Sequence, residues 1–466
     1  MREHRESTLA GGGAPAGNGE WVSIFVGDEH PVLRLKQVLD WAALTEGMIT
    51  YWRTAGKNVD GGSGRPWPVS LYVPLLVLMW VKAYHARQME DYISESVVAR
   101  RFLALKDGEL KQIRDHSSIA RAEAALGAEG KAAVNALVIQ TAAKLQFTNG
   151  KTLSSDTTVQ EPAIGYPHEP GILKGLAERI ERALKKLKAC GVQAAKAGIQ
   201  QAKEVYRSVK QHHLFAKTRA EKTKLLDEIV EQSEVLLKLT QVVSAQLSPR
   251  WGQGKQRAAA TLNRMGEVAR TLLPQIKQWM TTGRVATEKI LHPGITAARA
   301  ITKGAGQVKF GMKGLLNRLA GGYLFGRRVA ARADENTMPE EGVKEYRYVF
   351  GAKATPAMVV YDRGASLRAA AAKLQQTGVK KVGIPPRGQG TWLVGEKDQG
   401  VVKSERGKTE GSIGRLKSRK YGFSHRQERC VETQDAAGQR AIVSVNLNTL
   451  MRDVVKQTKS ASLTRA

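Results

Sequence analysis

Asp156, Asp362 and Glu410 are the carboxylates whose surroundings could support chemistry. Asp156 lies in the alternating, Thr- and Ser-rich run KTLSSDTTV, and Asp362 follows the apolar run MVV. Both read as acids at strand ends, which in an open α/β sheet project into the crevice where ligands bind. Glu410 sits in SERGKTEGSIGRLKSRKYGF among Arg406, Lys408, Arg415, Lys417, Arg419 and Lys420. Three converging carboxylates with no Cys or His partner select a hard cation, Mg²⁺ or Mn²⁺. A pair of such ions, roughly 3.5–4 Å apart, clamps the attacking and leaving oxygens of a phosphodiester. Each acid alone has a plainer reading. An Asp at a strand end is more often a turn former, and a Glu on a basic helix more often belongs to a solvated face with i,i+4 pairs.

The helical phase of the last stretch bears on that choice. At about 100° per residue, Lys403, Arg406 and Lys417 lie within roughly 40° of Glu410, whereas Glu405 points about 140° away. Glu405 is therefore the poorer ligand candidate, and Glu405→Gln should be close to wild type in cleavage. Cations on either side of a metal-binding carboxylate, with Arg419 beyond them, suit a helix laid along a scissile phosphate. Ile413 and Leu416 flank this stripe and can anchor the helix to a sheet.

The elements that must hold these residues follow from pattern. Residues 1–29 read as a disordered arm. Residues 30–149 read as short helices, with a capped start at DHSSIARAEAAL and a buried helix at VSLYVPLLVLMWV, compatible with a helix-turn-helix reader or a plain bundle. A strand at KTLSSDTTV then gives way to a basic helical block over 171–302, in which Ile172, Leu176, Ile180, Leu184 and Leu187 share one face. Strands return near Gly306, with Gly321-Gly322 as a hairpin turn, and alternate with helices up to the Glu410 helix, read as the last long one. The order is an α/β sheet interrupted after its first strand. Trp251 and Trp279 in the block can stack on a base or serve as helix core. His212-His213 reads as surface, and no phosphate loop or nucleophile elbow is present.

Composition narrows the partners. The chain has 466 residues, 73 Lys+Arg against 43 Asp+Glu, and a formal charge of +30. Such an excess of cations favours a polyanionic partner, nucleic acid first. Two cysteines, Cys190 and Cys430, exclude a disulfide framework and a cysteine-based zinc site. No apolar run is long enough to span a bilayer, so a cytoplasmic protein without a membrane partner is expected.

The segments SSDTTVQEPAIGYPHEPGIL, MVVYDRGAS and RGKTEGSIGRLKSRKYGF resemble those around the three acids of bacterial insertion-sequence transposases of the DDE type. Arg406, Glu410 and Lys417 also fit the R-x3-E-x6-K spacing of one branch, although Lys403 stands where that branch has a Tyr. GRPWPVSLYVPLLVLMW and DHSSIARAEAAL are similar to the family's N-terminal helical domain. The resemblance implies an RNase-H-like mixed sheet with flanking helices, built from 150–170 and 303–430. An all-α insertion would occupy 171–302, an α-helical DNA-binding domain 30–149, and a C-terminal extension 431–466. It implies Asp156, Asp362 and Glu410 as catalytic metal ligands for two Mg²⁺ or Mn²⁺ ions, and Lys403, Arg406, Lys417 and Arg419 as phosphate contacts. Partners would be double-stranded DNA, as transposon-end inverted repeats and target, and a second copy in a synaptic homodimer on the nucleoid. Removing 1–149 should then erase end preference but keep non-specific binding. The alternatives are a catalytically inactive or co-opted DNA-binding protein, and a metal-dependent nuclease without strand transfer.

Overall fold

A computed structural model describes residues 26–60, 67–105, 115–247, 252–303, 306–388, 390–424 and 428–463. Most of the arm and Trp251 lie outside the described residues. The chain divides into two compact units, one of residues 1–160, 313–424 and 435–466, the other of residues 161–312 and 425–434.

The first unit begins with α1 (Pro31–Val38), α2 (Trp41–Thr54), α3 (Val69–Lys82), α4 (Ala86–Glu95), α5 (Val97–Leu103), α6 (His116–Ala125) and α7 (Gly127–Lys144), followed by β1 (Thr152–Gln160). Local chemistry sets several of these starts. The Asp40 carboxylate accepts from Ala43 N–H at the head of α2, and Asp115 does the same for Ser118 N–H at the head of α6. The expected cap at DHSSIARAEAAL is thus Asp115. α3 is buried nearly end to end, as its unbroken apolar run requires.

The second unit holds α8 (Glu169–Ala189), α9 (Ala195–Phe215), α10 (Arg219–Ala245), α11 (Gln253–Thr282) and β2 (Arg299–Lys303). Ile172, Leu176, Ile180, Leu184 and Leu187 all point into its core, as their spacing requires. The strand β2 was not expected from the sequence. It pairs antiparallel with the first residues of β3 (Gln307–Arg318), whose residues from Lys313 onward belong to the first unit. His292 anchors the turn before β2, its Nδ1 accepting from Gly294 N–H and Ile295 N–H. Burial, helped by Arg179, pushes the His292 imidazole down to about 4 from its usual 6.5. The folded chain therefore binds fewer protons here than the unfolded chain, so this stabilisation is complete above pH 6.5 and is lost as pH falls toward 4. Thermal melts should show a drop in melting temperature across that window. His292→Asn keeps an acceptor for the two N–H groups without titrating, and should flatten that part of the profile.

The first unit resumes with the rest of β3, then β4 (Leu324–Arg328), α12 (Met338–Phe350), β5 (Met358–Val360), α13 (Leu367–Gln376), β6 (Lys381–Gly383), α14 (Glu396–Leu416) and α15 (Val431–Leu463), the last from Asp435 onward. Its strands are ordered β4-β3-β1-β5-β6. β3 and β4 pair antiparallel around Gly321 and Gly322, whose φ values of 78° and 89° suit glycine in the expected hairpin turn. β1, β5 and β6 run parallel. The fold is α/β, a mixed sheet with flanking helices.

The two faces of this sheet are covered differently. α12 packs on the face that carries Ser155 and Asn317, so closely that a Cβ on Gly342 would stand 2.7 Å from Ser155 Oγ. α14 packs on the face that carries Ser154. The helices before β1 share one continuous core with the sheet, in which Trp52, Leu76 and Trp80 join Leu153, Leu315, Val359, Val443 and Leu450. α15 extends beyond the Glu410 helix, which is therefore not the last long helix, as the sequence reading had it.

Candidate functional site

The register of β1 and β5 sets the geometry of the aspartates. Ser154 is the partner of Val360 in this parallel pair. Asp156 lies two residues beyond Ser154, and Asp362 two residues beyond Val360. Because side chains alternate across a strand, the two aspartates share a face and stand side by side on neighbouring strands. That face is the one under α14, since Ser154 meets Thr409 and Val360 clusters with Val402. Asp156 is not at a strand end, as expected from sequence; it lies within the nine-residue β1, and only Asp362 follows its strand. Both are half-buried. The Asp362 Oδ1 accepts from Gly364 N–H at 2.8 Å, which fixes the carboxylate against its own loop.

α14 crosses this face on a stripe of Val402, Thr409 and Leu416, all buried. Glu396 and Asp398 in its first turn and Arg415 in its last complement the helix dipole. The Thr409 hydroxyl donates to Ser154 Oγ at 2.7 Å and so ties the helix to β1 two residues before Asp156. Ile413 and Leu416 pack as the expected anchors against the cluster of Leu316 and Leu324. Glu410, next to Thr409, is exposed on the flank of the helix, and among the described residues its side chain has no hydrogen bond or ion pair. Lys403 and Arg419 are exposed, and Arg406 and Lys417 half-buried. Lys417 caps the C-terminus of α14 rather than lying within it. The structure thus brings the two aspartates together and places Glu410 on the adjoining helix. Among the described residues, no three His, Cys, Asp or Glu side chains gather closely enough to hold a metal ion.

Glu405 has a partner that its sequence neighbourhood did not reveal. It accepts from Arg318 of β3, with the two side chains 14% and 8% exposed, and from Lys408. Arg318 also donates to Ser412 Oγ at 3.2 Å. The signal for this pair is a base at an inward position of an apolar strand. Glu405 is therefore a structural anchor of α14, so Glu405→Gln should lose stability, a cost the sequence did not reveal. Removing one partner of a buried pair costs about 3–5 kcal/mol, and glutamine, which keeps an acceptor, should fall near the lower figure. Urea unfolding of the variant measures this.

In the second unit Trp279 packs, half-buried, against the helical core, with Lys289 Nζ 6.0 Å from its ring centre. The His212 and His213 rings meet edge to face, and His168 joins them.

Comparison with known families adds to this geometry. Residues 22–124 match the model of the transposase domain family DUF772. The matched transposase domain covers α1 to most of α6. It supports a transposase family and does not extend to the sheet that carries the acids. Searches among curated proteins and solved structures found no match. Among the described residues no single helix is long and apolar enough to cross a membrane, while the bent pair α3 and α4 passes on length and composition alone.

Proposed function

We propose that this chain is a DNA transposase of the DDE type, cutting a phosphodiester at each transposon end and joining the freed 3′-OH to target DNA. The observation that carries the reading is the placement of Asp156 and Asp362 on one face of paired parallel strands, under the helix that bears Glu410. The strand order β4-β3-β1-β5-β6 is compatible with the RNase-H-like core that the sequence resemblance implies. The matched transposase domain supports a transposase, though not its DDE chemistry.

The donors suit Mg²⁺ or Mn²⁺, being carboxylates with no thiolate or imidazole among them. Mg²⁺ is commonly held by one or two carboxylates together with substrate phosphates rather than by a closed protein cage. That habit agrees with two adjacent aspartates and a third acid on a neighbouring helix. Two bound ions would supply Lewis-acid stabilisation of the attacking and leaving oxygens. Asp156 and Asp362 would hold them and Glu410 would complete one site. Lys403, Arg406, Lys417 and Arg419 would neutralise phosphate charge along the strand being cut. The helices of 30–149 would read the end sequence, and a second copy would hold the other end, with the complex on the nucleoid in the cytoplasm.

The test uses the full chain, Mg²⁺, and duplexes made from the DNA that flanks its gene, where the proposal places inverted repeats. Cleavage to a 3′-OH followed by joined product is expected. Binding without cleavage would leave a DNA-binding protein, and cleavage without joining a nuclease. Affinity should fall with salt at a log–log slope of about −0.9 per phosphate contacted, and a flat dependence would contradict DNA as the ligand.

A further inference from the structure

Asp362 follows a strand of only three paired residues, and so short a strand end frays unless something else holds it. The loop that carries Asp362 is gripped at both ends by one tight turn, Glu335–Thr337. Before Asp362, the hydroxyl of Tyr361 donates to the carboxylate of Glu335. After it, Ser366 N–H donates to Asn336 Oδ1 at 2.6 Å. The turn is itself fixed. Asp334 Oδ1 accepts from Asn336 N–H and Nδ2–H, and Lys313 Nζ stands 2.6 Å from Glu335 Oε1 while donating to Ala333 O. Between the two grips, Arg387 donates to the carbonyls of Arg363 and Gly364.

We propose that Tyr361, Glu335, Lys313 and Asn336 are positioning residues that set the place of the Asp362 carboxylate beside Asp156. The inference rests on the reading of Asp362 as a metal ligand. Tyr361 is 1% exposed and lies in the core on the α12 side, so it holds the loop from behind the face that bears the acids. Lys313 and Glu335 offset each other's charge, so the clamp adds no net charge beside the two aspartates. Misplacement of a catalytic group by about 1 Å costs on the order of a hundredfold in rate, so a clamp of this kind acts on chemistry before it acts on folding.

The test compares wild type, Tyr361→Phe, Asn336→Ala and Asp362→Asn for cleavage of end DNA as Mg²⁺ is varied. Tyr361→Phe and Asn336→Ala should each lower the rate about tenfold to a hundredfold. Each should also raise the Mg²⁺ concentration needed for half-maximal rate, while duplex affinity stays unchanged. Saturating Mn²⁺ should restore part of the loss. The two variants break different grips, so an unfolded Tyr361→Phe still leaves Asn336→Ala to decide. Variants that melt earlier but keep the wild-type rate and Mg²⁺ requirement would overturn the inference, leaving the turn a fold element only. In that case a dead Asp362→Asn keeps the transposase reading intact. An active Asp362→Asn would remove the reading and the inference together.

Discussion

Asp156→Asn, Asp362→Asn and Glu410→Gln should each abolish cleavage of end DNA while leaving duplex affinity unchanged. Each amide is nearly the size of the acid it replaces but carries no charge for a cation. Loss of a single group that stabilises transition-state charge costs about 10²–10³ in rate, and loss of a metal ligand should cost at least that. The structure adds a reason to expect intact folding. Glu410 is exposed and the aspartates are only half-buried, so none is a core residue. Gel-based cleavage with parallel binding assays gives both quantities. Normal cleavage by any one variant removes that residue from the site. Glu405→Gln serves as the contrast on the same helix, because its defect should show in unfolding and follow from Arg318.

A chain of residues 150–466 should fail to fold its sheet. The sequence suggested that residues 30–149 form a helical DNA-binding domain, whose removal would erase end preference but keep non-specific binding. The structure shows Trp52, Leu75, Leu76, Trp80, Val138 and Ile139 in the same core as Leu153, Leu315, Val343 and Val443. Buried polar groups join the same parts. Asn135 Nδ2 donates to Leu324 O at 2.9 Å, Asn446 Nδ2 donates to Asn135 Oδ1 at 2.7 Å, and Arg440 pairs with Glu123 at 3.0 Å. Each large apolar side chain left exposed forfeits about 1.5–3 kcal/mol, and the net stability of a domain is only about 5–15 kcal/mol. Circular dichroism and thermal melting of the truncated chain check this. A cooperative melt at the wild-type temperature would show that the sheet stands alone.

What the sequence made legible was governed by period. The apolar spacing from Ile172 to Leu187 and the continuous run of α3 translate directly into buried faces. The offset of 206 residues between Asp156 and Asp362 (362 − 156) became meaningful only with the register, where Ser154 and Val360 differ by the same amount. No single-sequence pattern carries a strand register between distant segments. α15 escaped notice because its inward face is partly polar. Gln434, Arg440, Ser444, Asn446 and Thr449 are buried there, and they interrupt the apolar period. The Arg318–Glu405 pair was hidden for a related reason, its members being 87 residues apart. Helical phase alone set Glu405 on a different side of α14 from Glu410. It could not reveal that the same rotation carries Glu405 onto a buried arginine.

On the proposed reading, Asp156 and Asp362 jointly hold the catalytic cations and Glu410 completes one site. The most direct measurement is a crystal structure of the full chain with cleaved end DNA and Mn²⁺, located by its anomalous scattering. Peaks are expected within about 2.0–2.4 Å of carboxylate oxygens on both aspartates, with the Glu410 carboxylate drawn toward one of them. Peaks bound by other residues, or an ordered DNA end beside Asp156 and Asp362 with no cation between them, would contradict it.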